Sequence, residues 1–544
     1  MPGRGIAPQL PTLLPTITNP SLARADQTRF QALPTNEPNG EPMASSTPEA
    51  MRLSRRELLA VTVTGVALAA CGRPDAPARS NTVSTAAIAA VEATRPHTGR
   101  TVAASLTPRP TTVDLGGITA RTLAYGDAIP APALRGNVGD EFAVTVANQL
   151  TSPTSVHWHG IALRNDMDGA APATPDIAPG REFTYRFSVP HPGTYWAHPH
   201  AGLDADYGLY LPVIIDDPGE PGRYDAEWIV VLDDWTDGIG KTPTQVYDDL
   251  IHRRRSSTPG MGDMPGMPMG GVGTSDLLGG DAGDISYPHY LVNGRIPTAP
   301  TTFNAKPGQR IRIRIINAGS DTAFRVALAG HAMTVTHTDG YPVVPTEVDA
   351  LLIGMGERYD VIVTAADGYF PLVALAEGKN ALARALVSTG AGSAPGPGFQ
   401  PAELNKRVGT VETFSAAAEV DLSPASPDVN LPVVLDGDMA TYDWTINGKP
   451  YSKTTPLHIR HGQRASLTFD NTTMMWHPMH LHGHTFQMIR PDGTPGPRKD
   501  TLVVLPDQKL SAVLLADNPG SWVLHCHNTY HQEAGMMTIL NYMT

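Results

Sequence analysis

A single thiol stands between two imidazoles in the segment HCHNTYHQEAGMM, which runs from His525 to Met537. Cys526 is one of only two cysteines in 544 residues. One thiolate, two imidazoles and a weak axial methionine make the ligand set of a blue-copper electron-transfer site. Cys526 offers the thiolate, His477 and His531 the imidazoles, and Met536 the axial thioether. On an extended strand successive side chains alternate between faces, so Cys526 can bind one metal while His525 and His527 bind others on the opposite side. The peptide bonds between them then form a short covalent route for electrons.

Three further segments carry the same spacing. HWHG holds His157 and His159, HPH holds His198 and His200, and HPMHLHGH holds His477, His480 and His482. With His525 and His527 these make four His-x-His pairs, and a strand turns both members of each pair to one side. Only a shared site between separate parts of the chain uses all eight. Neutral imidazole suits copper, zinc, iron or nickel, so the eight alone do not choose the metal; the cysteine set does. His191, His331, His337, His458, His461 and His484 fall outside this spacing and read as structural or solvent-facing.

An internal repeat shows what must position these residues. GDEFAVTVAN from Gly139, GQRIRIRIIN from Gly308 and GQRASLTFDN from Gly462 each begin with Gly and end with Asn, with apolar residues at alternate positions between. Each predicts a half-buried strand, with Phe142, Val144 and Val146, then Ile311, Ile313 and Ile315, then Ala465, Leu467 and Phe469 on the inner face. The arginines of RIRIR accordingly read as a solvated strand face. The copies recur 169 and 154 residues apart, the size of one decorated β-sandwich or barrel, so an all-β chain of three consecutive domains is expected. Nine residues past each Asn stand His157 in the first copy and His480 in the third, but Val326, followed by Leu328, in the middle one. The closing motifs PGTYWAHPH and PGSWVLHCH have DGYFPLVAL as their middle counterpart, with Val373 and Leu375 in place of histidines. The middle copy is therefore expected to bring no imidazole.

Charged residues are 17% of the chain, and 52 Gly and 51 Pro fit many short strands joined by turns. A net charge of −13 argues against a general nucleic-acid binder, which needs a basic face. MRLSRRELLAVTVTGVALAAC places Arg52, Arg55 and Arg56 before an apolar run too short to span a membrane comfortably, which reads as an export signal. Its arginine pair resembles a twin-arginine signal and Leu68 to Cys71 a bacterial lipobox, so Cys71 is the expected lipidation site and the protein an envelope-anchored lipoprotein. With lipid on Cys71, Cys526 has no disulfide partner, and metal ligation becomes its leading role. Residues 1–50 then read as an over-long start, 51–71 as the signal, 72–96 as a tether, and 97–217, 218–400 and 401–544 as the three domains.

Four motifs in order, HWHG, HPH, HPMHLHGH and HCHNTYHQEAGMM, resemble the multicopper oxidases over nearly all of the chain after about residue 97. With its lipobox the chain looks most like the actinobacterial, mycobacterial-type copper-resistance members. The resemblance implies cupredoxin-like Greek-key domains and four copper ions. It assigns His477, Cys526, His531 and Met536 to type 1 copper, and His157 and His480 to type 2. His159, His198, His200, His482, His525 and His527 go to the type 3 pair. It further implies one-electron oxidation of a donor at type 1 and four-electron reduction of dioxygen to water at the other three ions. Asp168 matches a family position that delivers protons; alone it would read as a turn residue before Gly169. Many relatives carry an acid directly after the second type 1 histidine, where this chain has Gln532 and then Glu533.

Met261, Met264, Met267 and Met269 lie among Gly and Pro in HRRRSSTPGMGDMPGMPMGGVG, which begins at His252 in a Met-rich loop, 252–286, and this segment cannot form a stable helix or strand. Thioethers prefer Cu(I), so this loop is expected to recruit cuprous ion. MMW at Met474 reads as packing beside His477. The sequence thus predicts an exported oxidase of Cu(I), with Fe(II) or phenols as further donors. The alternatives are a laccase-like phenol oxidase and a copper-binding lipoprotein without turnover.

Overall fold

The computed structural model describes residues 83–220, 223–256, 272–390, 392–423 and 425–543. The expected signal with Cys71, and Met261, Met264, Met267 and Met269, lie outside the described residues. The start of the Met-rich segment does not stay irregular as expected: His252 falls in helix Pro243–Ser256, which runs on from the helix-compatible residues before it.

The three Gly-to-Asn repeats become strands Glu141–Ala147, Arg310–Asn317 and Arg464–Asn471, and each has the same neighbours. An earlier strand pairs with it in parallel: Thr101–Leu106, Ala226–Trp235 and Val429–Asp436 respectively. A later one pairs antiparallel: Glu182–Ser188, Arg358–Thr364 and Lys509–Leu515. A second sheet accompanies each: four strands in the first copy, six in the middle and five in the third. The inward residues expected from alternation are all buried, Phe142, Val144 and Val146 in one cluster and the isoleucines, Ala465, Leu467 and Phe469 in another. The all-β expectation holds.

The solvated reading of RIRIR does not. Arg312 and Arg314 are buried, because the outer face of their strand is covered by the first copy. Arg314 donates to the Thr194 hydroxyl at 2.9 Å, and both arginines pair with Asp360.

The middle copy also shifts by one residue. Ala327, not Val326, stands opposite Val373, as His157 stands opposite His198 and His480 opposite His525. Val326 and Leu328 instead pack in the core. One extra residue between the repeat strand and the next explains the offset, and small or apolar residues still hold the outward places.

Part of the expected tether is docked. Residues Thr85–Glu92 form a helix capped by Ser84, and Glu92 accepts from the Ser188 amide at 2.9 Å while Arg95 donates to Asn518 at 3.0 Å.

Candidate metal centre

Strand His157–His159 runs antiparallel to Gly193–His198, and His477–Leu481 runs antiparallel to Ser521–Cys526. Trp158 and Ala197 enter the core of the first copy, and Met479, Leu481 and Leu524 that of the third. Alternation therefore turns their histidine neighbours outward, toward one another. The ring of His157 stacks on His482 with centroids 3.6 Å apart, and His159 stacks on His480 at 3.7 Å. His157 Nε2 lies 3.4 Å from His480 Nε2, and His525 Nε2 lies 3.3 Å from His200 Nε2 and 3.2 Å from His482 Nε2.

Hydrogen-bond partners fix the tautomers. A carbonyl only accepts, so a ring nitrogen against one carries the hydrogen and the other nitrogen of a neutral ring presents its lone pair. Nδ1 of His157, His198, His480 and His525 donates to the carbonyls of Asp168, Pro199, Asp500 and Cys526 at 2.9–3.0 Å. His482 Nδ1 donates to the Asp168 carboxylate at 2.9 Å. The lone pairs of His157 and His480, and of His482 and His525, are thus aimed at each other across 3.4 and 3.2 Å. Protonation does not relieve the His482–His525 pair: burial, then the crowding of imidazoles, holds both, with His198 and His527, well below the ordinary histidine range, and burial brings His200 down to about 3. Among the described residues, His159 Nδ1, His198 Nε2 and both nitrogens of His527 are buried without a hydrogen-bond partner. Facing lone pairs and orphaned buried nitrogens suit ligands around cations.

The second set lies on the other face of the same strand. Cys526 Sγ is 3.6 Å from His477 Nδ1 and 3.7 Å from His531 Nδ1, and the two Nδ1 atoms are 3.2 Å apart. Their Nε2 atoms are occupied: His477 donates to Thr473 Oγ1 at 2.8 Å and His531 to Asp284 at 3.1 Å. Both Nδ1 lone pairs therefore converge beside the sulfur. Burial pushes the Cys526 thiol up, so a thiolate here requires a cation beside it. Asn528 caps helix Thr529–Ala534 by accepting from the amides of Tyr530 and His531, which sets His531 on the first turn after the cysteine strand. Met536 is buried in the same cluster as Cys526, and its carbonyl accepts the Cys526 amide at 3.0 Å.

Asp168 is fully buried, and burial lifts its carboxyl above the usual range. Gln532 and Glu533 line a cleft of about 340 Å³ that reaches His200. His484 is satisfied by the His482 carbonyl and the Tyr542 hydroxyl, and His331 by Ala329 and Ala366, as their structural reading requires.

Family models described as multicopper oxidase match residues 108–220, 227–391 and 424–543. The chain is 67% identical over 494 residues to multicopper oxidase MmcO of Mycobacterium tuberculosis, covering 90% of this chain and 97% of that protein. The chain belongs to the multicopper oxidase family. It is a copper-dependent oxidoreductase built of three consecutive cupredoxin-like domains. Copper resistance protein A of Escherichia coli is 28% identical over 79% of this chain and 91% of its own length. The laccase of Botrytis aclada superposes with a TM-score of 0.67 at 25% identity, covering 83% of this chain and 89% of the laccase.

Several residues of this oxidase's centre escaped the sequence reading. Asp500, Thr501, Thr473 and Asp284 each bond a ring nitrogen of a centre histidine, and Arg358 bonds Asp500. Asp284 and Arg358 come from the middle copy, which carries no ligand motif, so no local spacing signals them.

Proposed function

We propose that this oxidase couples oxidation of four Cu(I) to reduction of one dioxygen to two waters, lowering cuprous load in the bacterial cell envelope. His477, Cys526, His531 and Met536 would hold type 1 copper, and His157 and His480 type 2. His159, His198, His200, His482, His525 and His527 would hold the type 3 pair. Copper at these places supplies one-electron acceptance beside the thiolate and electron delivery to dioxygen among the eight imidazoles. The observation that carries the reading is strand Ser521–Cys526, which seats Cys526 between His477 and His531 while its neighbour His525 meets His200 and His482.

The chain's own groups provide the rest. Burial of nearly every centre residue keeps bulk water out, while the cleft at His200 leaves an approach for a small molecule. Asp168, bonded to His482 and kept above the usual carboxylate range by burial, can hold a proton beside the imidazoles and pass it on. Met474, three residues before His477, is 76% exposed and offers Cu(I) a soft thioether at the surface. That exposure favours Cu(I) over a phenol as donor, and Met261, Met264, Met267 and Met269 would add recruiting thioethers. The names of the copper-resistance relatives support the same reading. The leader before Cys71 supports export with a lipid anchor; among the described residues no helix is long and apolar enough to cross a membrane.

Dioxygen uptake by copper-loaded protein supplied with Cu(I) tests the proposal. One dioxygen consumed per four Cu(I), with uptake lowered at least about 100-fold in Cys526→Ser, is the expected result. Copper binding without uptake on either Cu(I) or a phenol would point instead to storage.

A further inference from the structure

The ligand-free middle copy touches the eight-histidine centre at Gly356, beside the rings of His159 and His527, and braces it through Arg358 and Asp339. Arg358 is fully buried and touches all three copies. Its Nη1 and Nη2 donate to Asp500 Oδ1 and Oδ2 of the third copy at 2.7 and 2.6 Å, its Nε donates to the Thr194 carbonyl of the first at 3.0 Å, and Nη1 also donates to its own Gly356 carbonyl at 3.1 Å. Behind this pair, Asp339 accepts from the Asp500 and Thr501 amides at 3.2 and 3.1 Å and faces Lys499 Nζ at 3.1 Å. Asp500 therefore has its orientation set from both sides.

Asp500 Oδ1, which takes Arg358 Nη1 and the Thr501 hydroxyl at 3.0 Å, also meets His159. His159 Nε2 lies 3.1 Å from Asp500 Oδ1, and a carboxylate already taking two guanidinium bonds can only accept, so Nε2 carries the hydrogen. The lone pair is left on Nδ1, which is buried and has no hydrogen-bond partner. His157, His198, His480, His482 and His525 do the reverse, donating from Nδ1.

We propose that the Arg358–Asp500 pair is a positioning device that holds His159 in the tautomer opposite to that of these neighbours, making Nδ1 its ligating nitrogen and completing one type 3 position. Arg358 and Asp500 touch neither dioxygen nor donor; they act through the ring. The inference rests on the copper assignment above, and copper content separates its failure from failure of that assignment.

Asp500→Leu removes the acceptor facing His159 Nε2 at similar size, but the change also leaves Arg358 buried without its charge partner. The double variant Asp500→Leu with Arg358→Met removes that unpaired charge, and Arg358→Lys keeps the charge without the two-point grip. Copper per chain, the blue absorption of the thiolate site and the melting temperature of copper-free protein are measured for all three. Wild type should carry four coppers. The single and double variants should lose at least one while keeping the blue absorption, with melting recovered toward wild type in the double variant, and Arg358→Lys should fall between. If copper returns to four in the double variant as its melting recovers, the pair is merely structural and the positioning role is overturned. It is equally overturned if Asp500→Leu holds four coppers. A wild type without four coppers would overturn the copper assignment itself.

Discussion

Met474 and Met475 are adjacent in sequence and opposite in surroundings. Met475 is 1% exposed and packs in the core cluster that holds Cys526 and Met536, as the sequence suggested for the pair. Met474 is 76% exposed, so its side chain contributes little to the core. A thioether in water attracts a soft monovalent cation but adds little for a phenol, which makes this residue a discriminator between donors. Met474→Leu preserves size and apolarity while removing the sulfur. The KM for Cu(I) should rise about tenfold, equivalent to about 1.4 kcal/mol of donor affinity, with kcat and the KM for a phenol unchanged. Steady-state dioxygen uptake on both donors measures this; parallel changes on Cu(I) and phenol would remove Met474 from the donor site.

At the scale of elements, the turn after strand His157–His159 shows why its motif ends in glycine. Gly160 has φ +84°, and a Cβ there would lie 2.3 Å from Arg358 Nη2 and 2.6 Å from Asp500 Oδ2. Gly180 has a similar φ of +70° with nothing within 4 Å of its Cβ position. Gly180→Ala should therefore cost only the backbone term, about 1 kcal/mol, whereas Gly160→Ala must also displace a buried ion pair and should cost about 3 kcal/mol or more with loss of copper. Equal melting temperatures for the two variants would contradict this account. The strands themselves and all eight histidines were legible in sequence because period-2 alternation and His-x-His spacing are local properties of a strand. The arginines of RIRIR were not, because what covers a strand's second face is decided by a segment more than a hundred residues away. Val326 was misplaced for a related reason: counting from a repeat cannot see one added residue in the connection.

At the scale of the whole molecule, the middle copy acts as the frame that aligns the two ligand-bearing copies. Asp360 accepts from Thr194 Oγ1 at 2.7 Å, in the strand that ends at His198, and from Arg312 Nη2 at 2.6 Å and Arg314 Nη1 at 3.2 Å. Burial would raise this carboxyl, but Arg312 and Arg314 outweigh it and bring it down to about 2 from an ordinary 3.8. At 1.36 kcal/mol per pH unit this is about 2 kcal/mol of stability. It is fully present above the unfolded value near 4 and is lost as pH falls through about 2. His198, His482, His525 and His527 act in a different window: burial depresses their folded values, so stability falls as pH drops below the unfolded histidine value of about 6.5. Melting of copper-free protein should therefore decline in two stages, one beginning near pH 6.5 and another below pH 4. Asp360→Asn should keep the first stage, shrink the second, which Asp500 shares because Arg358 outweighs its burial and holds it well below the usual carboxylate range, and melt at pH 7 as though destabilised by about 3–5 kcal/mol, because two buried guanidinium groups lose their shared anion. A variant that keeps the second stage undiminished would assign the acid sensitivity to other carboxylates, leaving the Arg314 and Arg358 bonds to Thr194 among the polar links between the first and middle copies.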